Sequence, residues 1–126
     1  MNRRQWEVSL HQDVETWYLS ICVSDQETGD LIEQAIDQLA ADGPSLGRPL
    51  VDRVKGSRYH HMKELRPASS GATEIRMLFA FDPVREAIFL VAGDKSGNWD
   101  GWYREAVPLA DERYAEHLED LEAGRR

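Results

Sequence analysis

Residues 60–95 read HHMKELRPASSGATEIRMLFAFDPVREAIFLVAGDK, and this stretch decides the sheet of the protein. Apolar residues alternate along 73–82 and are almost continuous along 86–93, and both patterns are typical of β-strands. The segment PASSG at 67–71 is turn-forming. We therefore predict three consecutive strands at 59–66, 73–82 and 86–93, the last of them central in the sheet.

Two helices precede these strands. Residues 11–23 and 26–41 carry apolar residues at helical spacing, and the second segment has an acidic face opposite its apolar stripe. The residues Asp-Gly-Pro at 42–44 end the second helix. Residues 5–10 alternate between polar and apolar side chains, which predicts a short first strand.

The remaining segments complete an α+β pattern. Residues 43–58 and 94–101 are rich in glycine and other turn residues, so we expect loops there. A last helix is predicted over 102–123, and Pro108 should break or restart it because proline lacks the amide hydrogen that a helix interior needs. The order predicts one α+β domain over 1–126, with two N-terminal helices and one C-terminal helix covering one face of a small, mostly antiparallel sheet.

Composition favours a cytoplasmic globular protein. The chain has 126 residues, of which 41% are hydrophobic, enough for one ordinary core. No apolar run approaches the ~18 residues of a membrane span, and the first ten residues lack an apolar signal segment. Cys22 is the only cysteine, which excludes an internal disulfide and a cysteine-rich zinc site. We expect no membrane association, no cofactor and no metal.

The charge of the chain is unevenly distributed. A formal net charge of −8 argues against general nucleic-acid binding. Residues 1–47 hold two basic and nine acidic residues, net −7, whereas residues 48–66 hold six basic and two acidic residues, net +4. The cationic middle could focus a field on a small anion site, and the acidic helices could equally provide solubility.

Two arginines are the leading candidates for a phosphate site. Strand alternation places Arg76 opposite the apolar core residues, and Leu65 in the core sends Arg66 to the same face. Two guanidiniums on one uncovered face would bind a phosphate by paired hydrogen bonds. The alternative is a pair of solvent-facing arginines opposite acids such as Glu64 and Glu74.

Other residues extend this candidate site. Lys95 follows the third predicted strand at the rim of the sheet, although a single lysine there could also be a solvated turn residue. Lys63 shares the parity of Leu65, which puts it on the covered face unless a bulge or its flexible stem returns the ammonium. Trp99, Trp102 and Tyr103 lie beside Lys95, and an exposed aromatic residue next to cations could stack on a nucleobase, although such residues more often pack a helix onto a sheet. We expect that packing for Trp102, and Tyr103 is the candidate for the site. The sequence has no glycine-rich phosphate loop and no metal-ligand spacing.

At these residues the chain resembles the RelE/ParE superfamily of bacterial toxins, in particular the HigB-like branch of type II toxin–antitoxin systems. The order and spacing of the matching pieces make the resemblance specific, and it covers nearly the whole chain. The pieces are Trp6-Glu7-Val8, GPSLGRPL at 43–50, KELR at 63–66, IRMLFAFD at 75–82, GDK at 93–95, Trp102-Tyr103 and Ala110-Asp111.

The resemblance implies a RelE-like toxin that cleaves messenger RNA, usually in the ribosomal A site. It also implies a cognate helix-turn-helix antitoxin, with which the toxin would form a heterotetramer or a higher assembly. By position, Arg66 matches a basic residue ending the second strand and Arg76 the arginine of the third, while Lys95 and Tyr103 match a basic and a tyrosine position. The acidity and the long 96–101 loop depart from the family, and no dedicated catalytic histidine is evident.

The resulting mechanistic hypothesis is attack of the RNA 2′-hydroxyl on the adjacent phosphate, with arginine stabilisation of the charge on its oxygens. Glu64 or Lys63 would assist deprotonation, and Lys95 or Tyr103 would protonate the leaving 5′-oxygen. The hypothesis needs guanidiniums that are open on a bare face, and it would be wrong if those side chains were locked in ion pairs beneath the chain's own helices. His117 is expected on a helix surface.

Two other functions fit the same sequence. A ParE-like toxin would inhibit DNA gyrase, with no phosphate site and no loss of messenger RNA. A binding module with a degenerate nuclease site would keep only antitoxin docking, and the acidity of the chain favours this interpretation.

Overall fold

The computed structural model describes residues 6–124, in which five strands and three α-helices form an α+β fold, as predicted. A 3₁₀ turn, Gly43–Ser45, follows the second helix. In chain order the elements are β1 (Glu7–Leu10), α1 (Gln12–Ser24), α2 (Gln26–Asp42), β2 (Val51–Arg53), β3 (Lys63–Leu65), β4 (Ile75–Phe81), β5 (Glu86–Asp94) and α3 (Trp99–Glu122).

The strands form one sheet in the order β1-β5-β4-β3-β2. β1 is parallel to β5, and the other three pairings are antiparallel, so the prediction of a mostly antiparallel sheet is confirmed. The apolar strand β5 lies inside the sheet between β1 and β4. Gln5, which was predicted to begin the first strand, lies outside the described residues.

Helices cover both faces of the sheet, and the prediction of a single covered face is wrong. α1 and α2 pack on the face that carries Ile75, Met77 and Phe79. α3 packs on the opposite face, against Leu78 and Ala80. β4 thus carries apolar residues on both of its sides. A bare face would have exposed Leu78 and Ala80 to water.

A β-bulge in β5 decides which side chains lie beneath α3. The register between β4 and β5 skips Leu90, and both Leu90 and Val91 pack against α3. The bulge reverses the alternation of the strand beyond it. Gly93 is therefore paired with Arg76, and Lys95 follows on that same face.

Three local predictions fail. β2 lies within the predicted loop, where its pairing with β3 compensates for weak strand propensity. β3 has only three of the residues predicted at 59–66. α3 begins at Trp99 and continues through Pro108, because the buried Val107 and Ala110 pack that turn against the sheet. Within residues 6–124 no helix is long and apolar enough to cross a membrane.

Capping side chains join the helical pair to the sheet. Asp25 ends α1 and caps α2, where its carboxylate accepts from the Thr28 backbone N–H at 3.2 Å. The same carboxylate accepts from the Ser70 hydroxyl in the loop between β3 and β4. The turn between the helices is therefore tied to the segment that precedes β4.

Candidate functional site

A cluster of polar side chains lies beneath the first turns of α3. It brings together five of the six predicted site residues, and we call it the polar cluster. Its members lie on β3, on β4, on α3 and directly after β3 and β5. They are Glu64, Arg66, Arg76, Lys95 and Tyr103.

Glu64 is the centre of the polar cluster. Its Oε1 accepts from Nε and from Nη2 of Arg66, each at 2.8 Å, and its Oε2 accepts from the Tyr103 hydroxyl at 2.7 Å. The residue is only 2% exposed. Burial of a carboxylate is tolerated here because three donors compensate its lost hydration. Glu64 thereby fixes the positions of both partners.

Arg66 is ion-paired, and the expectation of an open guanidinium is wrong. Besides Glu64, its Nη2 lies 3.1 Å from Oδ2 of Asp52 on β2. Burial acts to lower the pKa of Arg66, but the hydrogen bond and charge of Glu64 outweigh it and raise that pKa. The side chain is still 34% exposed, so part of the guanidinium faces solvent.

One hydrogen-bond donor of Arg76 has no acceptor. Its Nη1 donates to the Ile75 carbonyl at 2.7 Å, and its charge acts to lower the pKa of the nearby Tyr103 hydroxyl. Its Nε is buried without a hydrogen-bond partner; the only other such side-chain atom among residues 6–124 is Oε2 of Glu74. An unpaired buried donor costs about 1–3 kcal/mol, and sites that await a ligand commonly carry one.

Lys95 is buried, so the alternative of a solvated turn lysine is wrong. It is 2% exposed, and its Nζ lies 3.5 Å from Glu74 Oε2. The same Nζ sits 3.0 Å from the ring centroid of Trp99 and 5.5 Å from that of Tyr103. Burial, then the charge of Arg76, lowers the pKa of Lys95. The ammonium is therefore enclosed by aromatic rings and one carboxylate.

Tyr103 completes the polar cluster, whereas Lys63 lies elsewhere. Burial, followed by the bond to Glu64, raises the pKa of Tyr103 to about 12. Lys63 points to the face covered by α1 and α2, as its parity predicted, with Nζ 3.4 Å from the Pro44 carbonyl and 5.5 Å from the Phe81 ring. Burial, then Arg53, lowers the pKa of Lys63.

A cleft of about 440 Å³ opens beside the polar cluster. Glu64, Arg66 and Tyr103 line it. Three further cations from β2 and its flanks, Arg48, Arg53 and Lys55, line it as well. A larger concavity of about 740 Å³ runs along the outer side of α3, but its charged lining is mainly acidic and does not suit a polyanion.

Trp102 packs α3 onto the sheet, as predicted. It joins the core beneath α3 and lies against Gly93, where an added Cβ would approach the indole Nε1 to 2.8 Å. Any larger residue at this position would push the first turns of α3 away from β5. Gly93 thus controls how closely α3 covers the polar cluster.

His117 is buried, and the prediction of a surface position is wrong. Its Nε2 lies 2.7 Å from Oδ2 of Asp82, which follows β4. Oδ1 of Asp82 accepts from the backbone N–H groups of Val84 and Glu86, each at 2.9 Å. Asp82, Glu86 and His117 have ligand atoms within 4.8 Å of one another, but both Asp82 oxygens are already used. We interpret the trio as a turn anchor.

Sequence reasoning missed Asp52 and placed Glu74 and Trp99 only in part. Asp52 was hidden because its strand was assigned to a loop. Glu74 was named only as a possible counter-charge, and the contact of Trp99 with Lys95 depends on the early start of α3. A helical signal before residue 102, with Asp100 in its first turn, was the available clue.

Comparisons with known proteins identify the family of this chain. Residues 23–115 match the family model "Phage derived protein Gp49-like (DUF891)". "Putative toxin HigB2" of Mycobacterium tuberculosis (strain ATCC 25618 / H37Rv) is 56% identical over 98 residues, 78% of this chain and 49% of that protein, so the chain spans about half its length. "Putative toxin HigB3" of the same organism is 49% identical over 106 residues, 84% of this chain and 88% of that one.

No solved structure matches the chain. The family model covers well over half of the sequence, and the segment it covers includes every member of the polar cluster. The similarity to HigB3 extends over most of both chains. This chain therefore belongs to the Gp49-like family (DUF891), and proteins named as HigB toxins are among its relatives.

Proposed function

We propose that this protein is the toxin of a type II toxin–antitoxin system, in the RelE/ParE superfamily. In this proposal it acts in the cytoplasm as an endoribonuclease that cleaves messenger RNA on the ribosome without a metal ion. A cognate helix-turn-helix antitoxin neutralises it. The names of the two relatives support a toxin, and the polar cluster supports the nuclease.

The observation that carries the nuclease proposal is the unpaired Nε of Arg76. This donor lies beneath α3 near Tyr103 and is buried, so a phosphate reaches it only when the first turns of α3 move outward. A phosphate oxygen would supply the missing acceptor, and its charge would meet Arg66 across the same strands. Such cations, fixed before the substrate binds, stabilise the charge that develops on a phosphate in the transition state.

The chemistry requires two proton transfers. The O2′–P bond forms as the P–O5′ bond breaks, which leaves a 2′,3′-cyclic phosphate and a free 5′-hydroxyl. Glu64 takes the proton of the 2′-hydroxyl, using the carboxylate capacity left by its three donors. Tyr103 gives its proton to the 5′-oxygen.

Glu64 and Tyr103 can then reset each other. The proton gained by Glu64 returns to the Tyr103 phenolate along their 2.7 Å hydrogen bond. Burial and Glu64 raise the pKa of Tyr103 to about 12, so the phenol is protonated at neutral pH and has a proton to give. Lys95 is less suited to this role because the Trp99 ring covers its Nζ, and Lys63 is less suited because it points to the other face.

Mapping of RNA ends after induction tests this proposal. We expect new 5′-hydroxyl ends within translated messages soon after the toxin is produced. Co-expression of a small helix-turn-helix protein encoded next to it should abolish them. DNA damage with intact messenger RNA would instead identify a gyrase inhibitor, and the nuclease proposal would be wrong.

A second candidate is an antitoxin-binding module that has lost catalysis. The pairing of Arg66 with both Glu64 and Asp52 favours it, because these carboxylates compete with a phosphate for the same guanidinium. The substitution Arg66→Glu separates the two candidates. It should abolish cleavage by a nuclease, whereas growth and antitoxin capture would stay unchanged for a degenerate module.

A further inference from the structure

Trp99 combines exposure with an unusual neighbour. It is the first residue of α3 and is 55% exposed, although a tryptophan usually packs against other apolar groups. The Nζ of the buried Lys95 lies against its ring, 3.0 Å from the centroid. The indole thus covers a cation while more than half of the side chain remains open to solvent.

We propose that Trp99 is a stacking platform for one unpaired nucleobase of the RNA substrate. The inference rests on the proposed nuclease function and adds a residue to its substrate-binding site. Unpaired bases stack on exposed aromatic rings of proteins, because every base presents a flat π-face. Base-paired RNA hides these faces, so the platform would select single-stranded RNA.

Lys95 explains why the platform is rigid. Its ammonium holds the indole by a cation–π contact, so little motion is lost when a base binds. Stacking of this kind tolerates any of the four bases, so the platform selects unpaired RNA and not a sequence.

The platform is next to the proposed phosphate site. Lys95 contacts the rings of both Trp99 and Tyr103, and Tyr103 lines the cleft together with Asp100, the residue that follows Trp99. A base on Trp99 would therefore belong to a nucleotide whose backbone enters the cleft. This neighbourhood joins a base contact to the cations that position the backbone.

The test uses a short single-stranded RNA in which 2′-O-methyl groups block cleavage, so that binding is measured without chemistry. Trp99→Leu should weaken binding roughly tenfold, and Trp99→Phe should retain most of it because the ring is kept. Leu109→Ala is the matched control, since Leu109 is another exposed apolar residue of α3, 37% exposed. It should bind as the wild type does.

Two readouts separate stacking from a purely structural role. RNA should quench the tryptophan fluorescence of the wild type but much less that of Trp99→Phe. The wild type should bind the single-stranded RNA more tightly than the same RNA annealed to its complement, and Trp99→Leu should lose most of this preference. A wild type that cleaves RNA, with Trp99→Leu unchanged in affinity and preference, would overturn the inference and leave the nuclease proposal intact. A wild type that neither binds nor cleaves RNA would overturn both.

Discussion

The two faces of the sheet differ in what the helices cover. Beneath α1 and α2 the buried side chains that form the core are apolar, including Met77 and Phe79. Beneath α3 an apolar core around Leu78 and Ala80 continues into the polar cluster under the first turns of the helix. One face can be explained by burial of apolar area alone, whereas the other holds cations and carboxylates that burial disfavours.

This difference between the faces indicates that stability alone does not explain the residues beneath α3. Nearly every charge beneath α3 has a partner, which limits the cost of its burial. Arg76 is the exception, because its Nε has none. A buried donor without a partner is unfavourable in the free protein, and a bound phosphate would make it favourable. We therefore assign the function to the polar end of this face.

The largest expected effect concerns the turn anchor at the other end of α3. His117→Ala should lower the free energy of unfolding by about 3 kcal/mol, because it leaves the buried Asp82 carboxylate without its side-chain donor. Chemical denaturation measures the change. Glu119→Ala, an exposed change on the same helix, should stay within about 0.5 kcal/mol of the wild type. Equal stability of the two variants would remove the anchor role.

Tyr103→Phe should lower the cleavage rate by roughly 10²-fold, since the leaving oxygen loses its acid. It should also change the alkaline stability. The pKa of Tyr103 is raised to about 12 by burial and by Glu64, so its contribution to stability is complete below a pH of about 10 and is lost as the pH rises towards the raised value. The difference in unfolding free energy between wild type and Tyr103→Phe should shrink over this range. A difference that stays constant with pH would contradict the raised pKa.

Removal of one ion pair from the polar cluster should cost little stability. The double change Lys95→Met with Glu74→Gln should leave the unfolding free energy within about 1 kcal/mol of the wild type, because burial penalises the Lys95 charge and the attraction to Glu74 only offsets that penalty. Lys95→Met alone should be less stable than the double variant, since Glu74 then lacks its cation. RNA binding should fall in both. A large loss of stability in the double variant would show that the pair serves the fold.

The smallest effect is expected at the rim of the cleft. Arg53 is exposed and lines the cleft, so Arg53→Ala should weaken RNA binding about threefold at moderate salt. The slope of log affinity against log salt concentration should become shallower by about one unit or slightly less. Arg58→Ala provides a control, because Arg58 is also exposed but lies outside this cleft. If both variants showed the same salt slope, RNA would bind outside this cleft.

The elements with strong periodicity were predictable. Alternation along β4 assigned Ile75, Met77 and Phe79 to one core, and the acidic face of α2 marked it as a helix. β2 was missed because three residues in a glycine- and proline-rich segment form a strand only by pairing with β3. Pro108 was misjudged because packing of its neighbours offsets the lost hydrogen bond.

The site was only partly predictable for reasons of geometry. Parity correctly separated Arg66 and Arg76 from Lys63. It could not place Lys95 beneath α3, because the bulge at Leu90 reverses the faces, and the sequence gives no sign of a bulge there. The partner of Arg66 on β2 could not be predicted without β2. Burial of His117 depends on Asp82, which is 35 positions away.

The most direct test compares an arginine beneath α3 with an arginine that belongs to α3. Arg76 lies in the polar cluster, whereas Arg113 pairs with Asp13 and donates to the Leu90 carbonyl, away from the cluster. Mapping and counting of RNA ends after induction should show cleavage reduced by roughly 10²–10³-fold for Arg76→Ala. Arg113→Ala should cleave at the wild-type level if it remains folded. Full cleavage and full growth inhibition by Arg76→Ala would contradict the account.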